Sequence, residues 1–242
     1  MKHRFTPYLQ KLKRCCLQPT LYFFLLILSS TILLAQDWAQ LNYYKKANDT
    51  LAIPLAGENR VVFMGNSITQ GWIQSRPHFF EDKPYINRGI GGQTTPQMLL
   101  RFRQDVIALK PKAVVILAGT NDIAGNTGPS TLSEIAGHIK SMCELAKSHQ
   151  IQVILCSVLP AEDYPWQPGK DPKNKIPALN RLLKTYAQQR EVYYLDYFEA
   201  MANKNNGLDP VYSYDGVHLT DQGYAFIEPM VEQALRDLGI GL

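Results

Sequence analysis

Four short polar stretches of this chain hold residue types that could do acyl-transfer chemistry. Ser67 follows Gly65-Asn66, and Gly91-Gly92 lies in the small, polar run from Asn87 to Thr94. Asn121 stands in Gly119-Thr120-Asn121-Asp122, and Asp215 precedes His218 by three positions across Gly216. A serine hydroxyl is a poor nucleophile until a base takes its proton. Histidine suits that task, and a carboxylate on its far nitrogen fixes tautomer and orientation. The spacing of Asp215 and His218 lets both meet within one turn. A carbonyl under attack develops an oxyanion, for which the backbone N–H groups of Ser67 and Gly92 and the side-chain amide of Asn121 offer three donors. Each signal alone has an ordinary reading: a helix cap, a turn, a loop asparagine, a structural histidine. Their specificity lies in the set.

The elements around these stretches explain why they would converge. Short apolar runs at Val61–Met64, Tyr85–Asn87, Ala113–Ala118, Ile151–Cys156 and Val192–Leu195 read as five strands. A helix is expected over Pro96–Leu109, with Thr95 as N-cap and Leu99, Phe102, Val106 and Leu109 as its apolar stripe. Thr131 and Glu134 form a capping box before Leu132, Ile135, Ile139, Met142, Cys143 and Ala146 at helical spacing. Further helices are expected over Pro177–Gln189 and Asp221–Leu238, the latter kinked or split at Pro229, with a long loop over Leu159–Lys175. Alternating strands and helices imply an α/β fold, a flavodoxin-like three-layer α/β/α sandwich on a five-stranded parallel sheet. Ligands of such sheets bind outside the carboxyl ends of the strands, where the first three polar stretches fall.

The set resembles the SGNH/GDSL hydrolase family. Its four sequence blocks are matched by Gly65-Asn66-Ser67, Gly92, Gly119-x-Asn121-Asp122 and Asp215-x-x-His218, over about Arg60 to Leu238. The resemblance implies metal-free and cofactor-free hydrolysis of esters or related acyl bonds. It implies Ser67 as nucleophile, His218 as base, Asp215 as orienting acid, and Ser67, Gly92 and Asn121 as oxyanion hole. The family's first block usually reads Gly-Asp-Ser. Asn66 keeps the hydrogen-bonding shape of Asp and loses its charge, which bears on the support of the nucleophile turn and leaves the triad acid in place.

Other chemistries fit less well. An α/β-hydrolase needs Gly-x-Ser-x-Gly, yet Thr69 stands two places after Ser67. Gly89-x-Gly91 begins a dinucleotide fingerprint whose third glycine is replaced by Thr94. The remaining histidines are scattered, with His138 and His149 expected on a solvated helix face, so no metal site is expected. A non-catalytic carbohydrate-binding protein on the same fold is the alternative of another class.

The net charge of +4 comes from the N-terminus. Residues 1–35 hold five basic residues and no acidic one, which leaves 20 basic against 21 acidic residues, a net −1, for the rest. That balance excludes a nucleic-acid partner. The basic stretch ending at Arg14 and the apolar run Leu21–Ala35, too short for a membrane span, read as an export signal cleaved after Ala35. An uncleaved anchor is the alternative. No stable membrane insertion is expected after cleavage, and the destination is periplasmic or extracellular. The expected organisation is a signal over 1–35, a lead-in over 36–59 carrying Trp38, Leu41, Tyr43 and Tyr44 in a short helix, and a hydrolase domain over 60–242. Cys15 and Cys16 leave with the signal. Cys143 and Cys156 are expected as buried thiols rather than a disulfide.

The expected substrate is a small-molecule or carbohydrate ester with a short acyl group, acetyl above all. Two aromatic segments are expected to flank the cleft: Trp72 with Phe79 and Phe80, and the loop of Tyr164, Pro165, Trp166 and Pro168. Trp72, Tyr164 and Trp166 are the candidate substrate-binding residues, since such rings stack on sugars while their polar edges hydrogen-bond. Neither segment has the long aliphatic run a lipid trough would need, which puts a lysophospholipase or thioesterase second.

Overall fold

Five apolar stretches pair side by side, all in parallel, in the order β2-β1-β3-β4-β5. They are β1 (Val61–Gly65), β2 (Tyr85–Gly89), β3 (Ala113–Leu117), β4 (Gln152–Cys156) and β5 (Tyr193–Leu195) in this computed structural model, which describes residues 37–241. The signal or anchor expected over 1–35, with Cys15 and Cys16, lies outside the described residues. This is the flavodoxin-like order, with its switch point between β1 and β3.

Alternation along the strands sorts the core into two layers. Val62, Met64, Val114, Ile116 and Leu155 face one side, where they meet α3 (Thr95–Asp105), α5 (Leu132–Ser148) and α6 (Pro172–Arg190) through Met98, Phe102, Ile139, Met142, Leu179 and Leu183. Val61, Phe63, Val115, Ile154 and Cys156 face the other, where they meet α2 (Ser67–Ser75) and α8 (Asp221–Asp237) through Ile68, Trp72, Ile227 and Val231. Central strands buried on both faces need apolar residues at every position, which is why β1 and β3 read as unbroken apolar runs. Cys143 and Cys156 are buried free thiols that belong to opposite layers of the core.

Several element boundaries differ from the sequence expectation, each for a local reason. The N-cap of α3 is Thr94 and not Thr95: its backbone N–H donates to Gln97 Oε1 at 3.0 Å, while Thr95 is committed to Asp122. That helix ends at Asp105, and a 3₁₀ turn, Ile107–Leu109, completes the expected span. Helix α6 starts at Pro172, five residues before the expected start, because proline is well tolerated in a first turn whose N–H groups lack partners anyway. Helix α8 is neither split nor interrupted at Pro229. Buried residues on both sides of the proline, Tyr224 and Ile227 before it and Val231, Ala234 and Leu235 after it, hold its two halves to the sheet. The lead-in does form a short helix, α1 (Lys45–Thr50), but Trp38, Leu41, Tyr43 and Tyr44, expected within it, lie in the turns before it. Three helices were not expected: α4 (Thr120–Ala124) and α7 (Tyr197–Met201) are too brief to show a period, and α2 overlaps the nucleophile block.

From Ala39 onward the lead-in belongs to the same compact unit as the sheet. Asn48 of α1 donates to Asp105 Oδ1 at 2.6 Å and accepts from Arg88 Nε at 2.9 Å. Among the described residues no helix is long and apolar enough to cross a membrane.

Candidate active site

Three of the four polar stretches sit at the carboxyl ends of β1, β2 and β3, and the fourth reaches them from the approach to α8. Ser67 opens α2 directly after β1. Asn66 caps that helix by accepting from the Ile68 N–H at 3.1 Å, and it is 1% exposed. As the first residue of a helix, Ser67 has an N–H with no carbonyl partner inside the helix.

Asp215 and His218 meet through their own turn. Asp215 Oδ1 accepts from the backbone N–H of Val217 at 2.9 Å and of His218 at 2.7 Å. Its Oδ2 lies 2.7 Å from His218 Nδ1. The other ring nitrogen, Nε2, lies 2.9 Å from Ser67 Oγ. Burial pushes the Asp215 carboxyl up, but hydrogen bonds from the His218 ring and from the backbone of His218 and Val217 outweigh it and hold it below the usual carboxylate range. An ionised Asp215 fixes the proton of His218 on Nδ1 and leaves Nε2 free to accept from the serine hydroxyl. The Ser213 hydroxyl donates to the His218 carbonyl at 2.7 Å and secures the far side of this turn.

Gly92 lies on an exposed turn with φ of +75°, a conformation that costs glycine little and other residues more. The turn runs beside the serine: a Cβ built on the neighbouring Gly91 would stand 3.8 Å from Ser67 Cβ. Asn121 is 3% exposed and donates from Nδ2 to the Gln93 carbonyl at 2.9 Å, which joins it to the same turn and leaves its amide a second N–H. Beneath it, Asp122 accepts from the Thr95 N–H at 3.0 Å and from the Thr95 hydroxyl at 2.6 Å. Burial pushes the Asp122 carboxyl up to about 6 against these hydrogen bonds. His138 is half-buried, with Nδ1 3.1 Å from the Thr95 hydroxyl, so it is not the solvated side chain expected from its helix position.

The aromatic candidates separate. Trp72 does not line a cleft. It is 2% exposed, stacked between Phe79 at 4.8 Å and Tyr224 at 5.8 Å, with Nε1 donating to Glu228. Phe79 and Phe80 are buried with it around Phe63. Tyr164 is fully buried, its hydroxyl 2.9 Å from that of Thr120, and it holds its loop down on α4. Trp72 lies on the face of α2 that packs on the sheet, where a large aromatic ring buries much apolar surface. Trp166 alone of the three is open to solvent, 39% exposed and 6.0 Å from the His218 ring. Its Nε1 donates to Asn126 Oδ1 at 3.1 Å, and Asn126 Nδ2 donates to the Gly92 carbonyl at 3.1 Å.

The sequence reading missed Tyr214. It is 72% exposed, and its ring stacks on His218 at 5.9 Å and 12°. Its one signal was adjacency to Asp215. A cavity of about 440 Å³ runs from Ser67 and His218 past Tyr214 to Gln74 and Asp221. Among the described residues no three His, Cys, Asp or Glu side chains converge as a metal site requires.

A family model described as GDSL-like lipase/acylhydrolase matches residues 63–226. The structure of a GDSL-like lipase from Bacteroides thetaiotaomicron VPI-5482 is 46% identical, covers 84% of this chain and 100% of its own, and superposes with a TM-score of 0.81. A proposed acylhydrolase from Bacteroides fragilis NCTC 9343 is 48% identical over 84% of this chain and 99% of its own, with a TM-score of 0.82. An acetyl xylan esterase shares the fold at 21% identity, with a TM-score of 0.61 over 73% of this chain and 99% of its own. An uncharacterised lipoprotein of Bacillus subtilis strain 168 is 40% identical over 78 residues, which span 31% of this chain and 32% of that protein.

Proposed function

Because the chain belongs to the GDSL-like lipase/acylhydrolase family, we propose that it is a serine esterase acting through Ser67, His218 and Asp215. The observation that carries this reading is the unbroken line from Ser67 Oγ to His218 Nε2 at 2.9 Å and from His218 Nδ1 to Asp215 Oδ2 at 2.7 Å. Ser67 Oγ attacks the ester carbonyl and passes its proton to His218 Nε2. Asp215 stabilises the imidazolium that results. The carbonyl oxygen, now an oxyanion, takes hydrogen bonds from the N–H groups of Ser67 and Gly92 and from Asn121. Collapse breaks the bond to the alcohol, which leaves with the proton from His218. Water, deprotonated by the same nitrogen, then releases the acid and restores Ser67.

The leaving alcohol must reach His218 Nε2 to take that proton, so the rings beside His218 face the alcohol. Trp166 and Tyr214 offer a sugar ring flat apolar faces, with polar edges nearby. We therefore read the substrate as a carbohydrate carrying a short acyl group, acetyl in the first place. An acetyl xylan esterase uses the same fold. Export to the periplasm or outside the cell, where such substrates occur, is supported by the pattern of residues 1–35.

An ester series on one alcohol, from acetyl to dodecanoyl, tests the reading. The expected kcat/KM peaks at acetyl to butyryl. A rise toward long chains would replace it with a lysophospholipase, and a preference for thioesters with a thioesterase. Ser67→Ala should remove turnover and labelling by a phosphonate probe. Sugar binding without turnover in the parent chain would make it a non-catalytic binding protein. Intact mass of exported protein should show loss of residues 1–35, and full-length chain in the membrane fraction would point to an anchor instead.

A further inference from the structure

An oxyanion donor works only if it is already aimed when charge develops. The turn bearing Gly92 begins badly for that purpose. It is exposed and holds two consecutive glycines, the residues that lose most conformational freedom on ordering. Its hydrogen bonds show where order is imposed. From within the sheet region, the Ile90 N–H donates to the Gly65 carbonyl at 3.1 Å, and the buried Arg101 donates to Gln93 Oε1 at 2.6 Å. Asn126 and Asn121 donate to the Gly92 and Gln93 carbonyls, and three further bonds lead to residues 39–44. The Tyr44 hydroxyl donates to the Gly89 carbonyl, and Gln93 Nε2 donates to the Ala39 carbonyl at 2.9 Å and to Gln40 Oε1 at 3.1 Å. Gln70, one turn after Ser67 on α2, completes the set. Its Oε1 accepts from the Gly91 N–H at 2.8 Å, and its Nε2 donates to the Tyr43 hydroxyl at 2.6 Å.

We infer that Gln70 and Tyr43 are positioning residues, and that the segment from Ala39 to Tyr44 is a strap that presets the Gly91–Gly92 turn against the nucleophile helix. The Gly91 N–H dictates which end of the Gln70 amide faces it, since a second donor there would be repelled. The Tyr43 hydroxyl then holds the far end of that amide in place. One side chain thus ties the helix that begins at Ser67 to the peptide next to Gly92. The strap precedes the segment matched by the family model, so it supplements the four sequence blocks rather than repeating one of them. The inference rests on the proposed role of Gly92, and its test has a readout that does not.

In the full chain, Tyr43→Phe, Gln70→Leu and the double variant are compared by amide hydrogen exchange at Gly91 and by steady-state kinetics per phosphonate-titrated site. Gly91 exchange should rise about tenfold or more in Gln70→Leu and severalfold in Tyr43→Phe. On an acetyl ester, kcat should fall about tenfold to a hundredfold in Gln70→Leu and about threefold in Tyr43→Phe, with KM changing less than twofold. The double variant should be no slower than Gln70→Leu, because Tyr43 acts through Gln70. Unchanged Gly91 exchange in both single variants overturns the strap. Raised exchange with unchanged kcat overturns its role in positioning, as does an additive double variant. Turnover that survives Ser67→Ala would instead overturn the proposed function and leave the exchange result to judge the strap.

Discussion

The two arms of the site are built in opposite ways. The Asp215–His218 arm is local: one carboxylate binds two backbone N–H groups and one ring within three residues of itself. The Gly89–Gln93 arm is made almost wholly by distant residues, with partners at 39, 40, 44, 65, 70, 101, 121 and 126. A local arm keeps its shape wherever its turn can form. A distributed arm keeps its shape only while every contributing element stays in place, so damage to it should be graded and should spread.

The largest effects are expected on the local arm. His218→Ala should cost about 10⁶ in kcat and Asp215→Asn up to about 10⁴, since members of such a unit act together. Steady-state assays of purified variants check this, and a His218→Ala variant within tenfold of the parent would dissolve the comparison. On the distributed arm, Asn121→Ala should cost about 10²–10³ in kcat, the usual loss for one oxyanion donor, with KM little changed. A loss in KM alone would mean that Asn121 binds substrate and does not stabilise the transition state.

Arg101 sharpens the contrast through stability. It is fully buried and donates to the carbonyls of Gly65 at 3.0 Å and Arg88 at 2.9 Å and to Asp105 at 3.0 Å. Arg101→Met should destabilise the fold by about 3–5 kcal/mol in denaturant titration, because it leaves the buried Asp105 carboxylate without its ion-pair partner. Adding Asp105→Asn should recover part of that loss.

A smaller, pH-dependent effect is expected from Asp122. Its carboxyl titrates at about 6 in the folded chain and at about 3.9 when unfolded. Between these values the folded state binds more protons, so stability falls as pH rises from about 4 to 6. Asp122→Asn should flatten that part of the curve of Tm against pH. An unaltered slope would assign it to another group.

The smallest effect is expected at Asn66. Asn66→Asp keeps an acceptor for the Ile68 N–H and adds a charge that a helix N-terminus favours, so activity should stay within about tenfold. Asn66→Leu leaves that buried N–H without its acceptor and should lower both Tm and kcat further.

The sequence by itself determined the parallel sheet, because strands buried on both faces demand unbroken apolar runs, and it determined the Asp215–His218 turn, because contacts across three residues are written in the spacing. It also placed Ser67, Gly92 and Asn121 at strand ends, where the switch point of such a sheet puts them. The tertiary structure alone decided which aromatics meet solvent. Trp72 and Tyr164 are the same residue types as Trp166 and Tyr214, yet one pair fills the core or pins a loop and the other flanks His218. Burial depends on which element covers a face, and neither residue type nor local spacing records that. The tertiary structure alone also enlisted Tyr43, Gln70 and Arg101. A glycine turn carries no side chains to hold itself, so its order comes from groups far away in the chain, and their roles exist only once the fold brings them together.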